Sequence, residues 1–421
     1  MTSVANALKP TTALQTLEAA LNDWVALGSA GKLARWLGRE LDPDGVPRSL
    51  ALEDWEPGLR RLFEARRERS DEWPEQFDAV MEGWFRATLR FSRPGGPVPA
   101  SESAKEKARG VLYRGWADVL SDPGLGTVVD WWFPRPSKAR HSPPPLPADA
   151  RPDRALAVLR ANWARDGDFV AIDHRPLGSE TTFELFGGGI PWFNGRWESL
   201  AAESATRARP SLWTTNSSAD VFEWTYRVGK ARVTRSAVLL RGRRLALLGE
   251  QWDGPDDPGG FSLPLAEGVQ TASIPDCRGF SLTPGRGRGS ARVYPIGLPR
   301  LDYETERGSF RPEGQSLVLT QPAIANAKRT WRGLLVSWEP KRNRLPVHWR
   351  TLTVSEEAKE CSPGTAFAAR ITWGRDDTLL IYRSLNRPGL RACLGHQTRS
   401  KFLVGLFTGE GEVEPLLKID E

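Results

Sequence analysis

From Thr12 to Leu27 the apolar residues Leu14, Leu17, Leu21, Trp24 and Val25 recur three and four apart. That spacing puts them on one face of an α-helix. Trp73, Phe77, Val80, Trp84 and Leu89 do the same over 72–91, where Asp71 is placed to cap the helix and Pro74 falls in its first turn. Fainter helical patterns cover 31–41, 55–69 and 102–120. Residues 1–132 therefore predict a short α-helical domain. Residues 133–153, FPRPSKARHSPPPLPADARPD, carry too much proline for a helix or a central strand and predict a stiff, extended linker.

From residue 154 the apolar period drops from 3.6 to 2. RALAVLRANW, GDFVAIDHR, ETTFELFG and RTWRGLLVSW have strand composition, with turn residues between them. In VFEWTYRVGKARVTRSAVLLRGRRLALL, breaks at Gly229-Lys230 and Gly242-Arg243 predict hairpin loops and a three-stranded meander. Further strands are expected at 348–356, 366–373, 377–385 and 401–407. Strands that follow one another without intervening helices point to an antiparallel sandwich. The expected fold class is α+β, mainly β: a short helical domain, a linker, and a large antiparallel β-supersandwich over 154–421.

Composition narrows the class. At 39% hydrophobic and 26% charged, the 421-residue chain suits a globular protein. Its net charge of +6 is carried mostly by arginine. A GC-rich genome would produce that bias, and the positive field would still help an anion approach. Cys277, Cys361 and Cys393 form no C-x-x-C motif. No basic–apolar leader and no membrane-length apolar run is present, so a cytoplasmic location, no membrane and reduced thiols are expected.

Local catalytic motifs are few. There is no P-loop, no strand-linked G-x-G-x-x-G and no G-x-S-x-G elbow. PGRGRGSAR, 284–292, alternates Gly with Arg, which could wrap an anion with backbone N–H groups and guanidinium forks, but it follows no strand–helix unit and reads better as a solvated loop. His141, His174, His348 and His396 are spaced too widely for a sequence-local zinc site, so no metal and no cofactor is expected. Dispersed basic residues and no helix-turn-helix argue against nucleic acid as a partner. His174 ends the run FVAIDH on the face of Val170 and Ile172, where partial burial would shift an imidazole toward general-base work. Trp24, Trp73 and Trp84 fall on helix cores, whereas Trp192 and Trp197 flank a Gly-rich turn and predict a surface stacking platform.

The stretch VAIDHRPLGSETTFELFGGGIPW, with His174 ahead of Phe183-Glu184-Leu185 and Gly187-Gly188-Gly189, resembles a segment early in the sandwich of heparinase II/III and alginate-lyase type polysaccharide lyases. ARVTRSAVLLRGRRLALLGEQWDG is similar to their basic R-x-V hairpin, the match falling on Arg232, Arg235 and Asp253. The resemblance covers 154–421. Leu177 and Ser179 stand where those proteins carry a second histidine and an aspartate, and the helical half is much shorter than their toroid.

The resemblance implies recognition of an acidic polysaccharide or oligosaccharide with reduced or no lyase activity. Arg175, Arg196, Arg232 and Arg235 would pair carboxylates or sulfates, and Trp192 and Trp197 would stack on sugar rings. An active lyase is the alternative, with His174 as base and Tyr226 or Tyr113 as acid for β-elimination at a uronate. A cytoplasmic scaffold without a glycan ligand is the third reading.

Overall fold

A run of apolar residues that stays buried on both sides of its strands organises the larger part of the chain. This computed structural model describes residues 12–93, 96–97, 104–120, 122–133, 148–151, 153, 155–174, 181–200, 208–255, 257–285, 287–301, 308–323, 327–408 and 412–420. The chain divides into two compact units, 1–147 with 163–165 and 148–162 with 166–421.

The first unit is helical: α1 (Thr12–Leu27), α2 (Ala30–Glu40), α3 (Trp55–Glu68), α4 (Glu75–Phe91), α5 (Ala104–Leu120) and α6 (Pro123–Trp132). Leu14, Leu17, Leu21 and Trp24 are buried, as the spacing requires. α4 begins later than its pattern suggested. Residues Ser70–Glu72 form a separate 3-10 turn, and Pro74 is the N-cap of α4. At α6 the Asp122 carboxylate accepts from Gly124 N at 2.7 Å, with Pro123 opening the helix. Most of the expected linker, residues 134–147, lies outside the described residues.

The second unit stacks four antiparallel sheets. An eight-stranded outer sheet runs, in spatial order, Ser309–Glu313, Ser316–Thr320, Gly260–Pro264, Ile190–Ser199, Thr181–Gly187, Phe169–His174, Leu156–Arg160 and Asp149–Ala150. Facing it is an eight-stranded central sheet: Gln270–Ser273, Phe280–Thr283, Ala291–Pro295, Arg329–Ser337, Leu245–Asp253, Ala231–Leu240, Ala219–Val228 and Arg209–Thr215. Behind the central sheet lies a five-stranded sheet of Val347–Thr351, Ala366–Trp373, Asp377–Ser384, Phe402–Phe407 and Val413–Ile419. A four-stranded sheet, Lys359–Glu360, Val354–Glu356, Arg391–Cys393 and His396–Thr398, closes the stack. The expected strand 348–356 is thus two strands in different sheets.

Alternation decides which core each residue joins. Phe222, Trp224, Val233, Ala237, Ala246 and Leu248 pack toward the outer sheet against Val170, Ile172 and Phe183. Their neighbours Val221, Val238, Leu240, Leu245 and Leu247 pack the other way, against Ile371, Leu379 and Ile381 of the five-stranded sheet. A third core, with Ala368, Leu380, Val354 and Cys393, joins the last two layers. Cover on both faces is why the 231–240 and 245–253 strands are buried almost throughout, polar residues included, rather than at every second position. Both expected hairpin loops are present, with Gly229 at φ +54° and Gly242 at φ +69°, a backbone region that glycine enters without penalty.

Candidate functional site

Hairpin register places the chemistry. Counting outward from the Leu240–Leu245 pair brings Arg235 opposite Glu250, and Glu250 is opposite Arg332 on the next strand. In the outer sheet His174 pairs with Thr181, and Thr181 with Trp197. The two rows face each other across the sandwich.

Arg235 joins them. Its Nε donates to Glu250 Oε2 at 3.0 Å, Nη1 donates to Thr181 Oγ1 at 3.0 Å and to the Trp197 carbonyl at 2.7 Å, and Nη2 donates to Ser199 Oγ at 3.0 Å. Ser199 Oγ also donates to Glu250 Oε2 at 2.7 Å and lies 3.1 Å from the Tyr226 hydroxyl. Thr181 Oγ1 is 2.8 Å from His174 Nδ1. The guanidinium carbon sits 5.2 Å from the Trp197 ring and 5.3 Å from the Tyr226 ring. The His174 and Tyr226 rings lie 5.4 Å apart. Burial pushes the Tyr226 phenol up to about 12, so it holds its proton at neutral pH.

Apart from the half-buried Ser199, the network is interior. His174 is 1% exposed, Arg235 1%, Glu250 0% and Tyr226 3%. A buried guanidinium needs a carboxylate and a filled set of acceptors, and the network supplies both. It fastens the two sheets as a structural tie.

Two expectations need correction. Trp192 and Trp197 form no surface platform, being 1% and 0% exposed inside the sandwich core. Leu185 pairs with Phe193 and Phe186 with Pro191, so Trp192 is the extra residue of a β-bulge. The bulge turns Trp192 inward beside Phe193, and its indole N–H donates to the Gly187 carbonyl at 3.1 Å. His174, expected to be partly buried, is fully enclosed.

The remaining arginines are dispersed. Arg175 lies outside the described residues. Arg196 is exposed, paired with Thr182 on the outer face of the outer sheet. Arg232 is exposed and, three residues from Arg235, faces the opposite side of the central sheet. There it stands in register between Arg227 and Asp253, and Asp253 accepts from Arg329 Nε at 3.0 Å. Tyr113, the other expected acid, is buried in the helical unit, where its hydroxyl donates to Glu56 Oε2 at 3.1 Å. Arg109 Nε donates to the same oxygen at 2.7 Å.

Glu250, Thr181 and Ser199 were not singled out in the sequence. Glu250 was within reach, because the Gly242-Arg243 hairpin fixes it opposite Arg235. Among the described residues no group of three His, Cys, Asp or Glu side chains could hold a metal ion, and no helix is long and apolar enough to cross a membrane.

No family model matches the chain, and no curated protein matches it. Solved structures do. Heparan sulfate lyase HepC from Pedobacter heparinus superposes with a TM-score of 0.64 at 14% identity, covering 89% of this chain and 65% of that one. A mutant of the same lyase gives the same values. A heparinase III structure gives 0.64 at 12% identity with the same coverage. This chain spans about 65% of the length of the lyases it matches, and what it shares with them is a heparinase-like fold.

Proposed function

We propose that the protein recognises an acidic, uronate- or sulfate-bearing glycan on a lyase-like scaffold and does not cleave it through His174 and Tyr226. The single observation that carries this reading is the opposite fate of two arginines three residues apart. Arg235 is consumed in the interior by four hydrogen-bond partners, and His174 and Tyr226 are sealed in with it. Arg232 is exposed in a row with Arg227 and Arg329 across adjacent strands, with Asp253 the one carboxylate among them. Neighbouring strands are about 5 Å apart, so Arg227 and Arg232 present two adjacent cationic groups to a polyanion, with Arg329 beyond Asp253.

Titration with heparan sulfate oligosaccharides at low salt tests it. Arg232→Ala should weaken binding about threefold, with the deficit shrinking as salt rises. Trp192→Phe should leave affinity unchanged. Binding indifferent to Arg232 would refute the assignment.

The active-lyase reading is favoured by one contact, the tilted approach of the His174 ring to within 5.4 Å of a Tyr226 kept protonated by burial, which is the state an acid requires. Ultraviolet absorbance from unsaturated uronate ends decides between the two. Turnover lost in both His174→Ala and Tyr226→Phe would establish the lyase, and no absorbance gain supports recognition alone.

A further inference from the structure

A cavity of about 660 Å³ opens where the central, five-stranded and four-stranded sheets meet. Its size falls within the range of small-molecule sites. Gln321, Thr330 and Thr353 supply neutral hydrogen-bonding groups to its wall, Phe367 supplies a half-buried aromatic ring, and Cys361 lines it too. Among the described residues of the lining, Glu360 is the one charged side chain, in a protein of net charge +6. Phe367 is held by Trp331 behind it, with ring centroids 4.5 Å apart.

A second observation points to an occupant. Gln321 is 9% exposed, and its side-chain oxygen makes no hydrogen bond among the described residues. That oxygen lies against Gly297, where an added Cβ would come within 2.7 Å of it. Its backbone carbonyl, by contrast, accepts from Arg332 Nε at 3.0 Å and Nη2 at 2.9 Å. Arg332 thus fixes the backbone of a residue whose side-chain oxygen is left without a donor among the described residues, and buried acceptors are rarely left so.

We infer that this cavity binds an uncharged, hydroxyl-rich ring, the chemistry of a neutral sugar. A sugar hydroxyl would donate to Gln321, the threonine hydroxyls would exchange hydrogen bonds with others, and the apolar ring face would lie on Phe367. Glu360 repels carboxylates and sulfates, so the cavity selects against the glycan proposed for the arginine row. The inference is independent of that reading: the arginine row takes an anionic ligand, and the cavity an uncharged one.

Cys361 serves as a native reporter. The wild-type protein is alkylated with iodoacetamide with and without cellobiose, and modification is followed peptide by peptide. Cellobiose at about ten times its dissociation constant should slow Cys361 about tenfold while Cys277 is unaffected. Gln321→Met should abolish that protection. The inference is overturned if cellobiose, lactose and N-acetylglucosamine all leave the Cys361 rate unchanged. Equal slowing of Cys277, or protection by a heparan sulfate disaccharide as strong as by cellobiose, overturns it too. Saturation-transfer NMR on the unmodified protein gives a second reading: no transfer from protein to any of the three sugars rules the site out even if a variant fails to fold.

Discussion

The central sheet carries buried ion pairs on both faces, and two of them are built differently. Toward the outer sheet, Arg235 and Glu250 are cross-strand neighbours within one sheet, and the facing layer contributes only neutral groups from Thr181, Trp197 and Ser199. On the other face the charges come from separate layers. Arg383 of the five-stranded sheet donates to Glu223 of the central sheet, Gln251 takes a further bond at 3.3 Å, and the Lys401 ammonium stands 3.6 Å from Glu223. The first pair is complete before the layers meet and holds them through uncharged acceptors. The second exists only once they have docked. Position in the fold, more than residue type, decides what such a pair does.

The largest expected effect separates the two at once. Glu250→Ala leaves Arg235 buried without its counter-ion and should cost about 3–5 kcal/mol in denaturant unfolding. Exchanging both partners for apolar residues, Arg235→Met with Glu250→Leu, should cost less than Glu250→Ala alone, because no buried charge remains. A double variant at least as damaged as the single one would show that the neutral acceptors carry the tie.

Arg383→Ala should cost less than Glu250→Ala, about 2–3 kcal/mol, since Lys401 still neutralises Glu223. Adding Lys401→Ala to that background should close the gap. If it does not, the lysine plays no part.

The effect that is smallest at neutral pH appears in full only in alkali. The unfolded chain releases the Tyr226 proton near 10, while the folded chain keeps it until about 12. Between those values the folded state binds more protons, so stability falls as pH rises through the window. Tyr226→Phe should remove about 2–3 kcal/mol of that alkaline loss and shift stability little at neutral pH. Equal alkaline slopes in both proteins would mean that the phenol is not sealed.

Much of the fold was legible because it rests on local rules. The 3.6 period found α1 and α4, and glycine at the two hairpin loops found the meander. Layer assignment was not legible, since residues 348–356 look like one strand and split between two sheets only through tertiary pairing. The site was half legible. His174, Tyr226, Trp197 and Arg235 do meet, as a list of rare polar and aromatic residues suggested. Their burial was invisible, because strand alternation gives a face but not what covers it. Trp192 was misjudged for a sharper reason: a single bulged residue breaks the period of two, and no sequence signal announced it.

Burial of the central sheet on both faces has a consequence for modularity. The polypeptide after Leu345 forms the two rear sheets, and a chain cut there would leave Val221, Val238, Leu240, Leu247 and Leu335 as an uncovered apolar wall. Such a fragment would stick to its own copies before it could act as a smaller sandwich. The layers are therefore not separable modules, and the sandwich can grow at its outer surfaces but cannot be thinned from within.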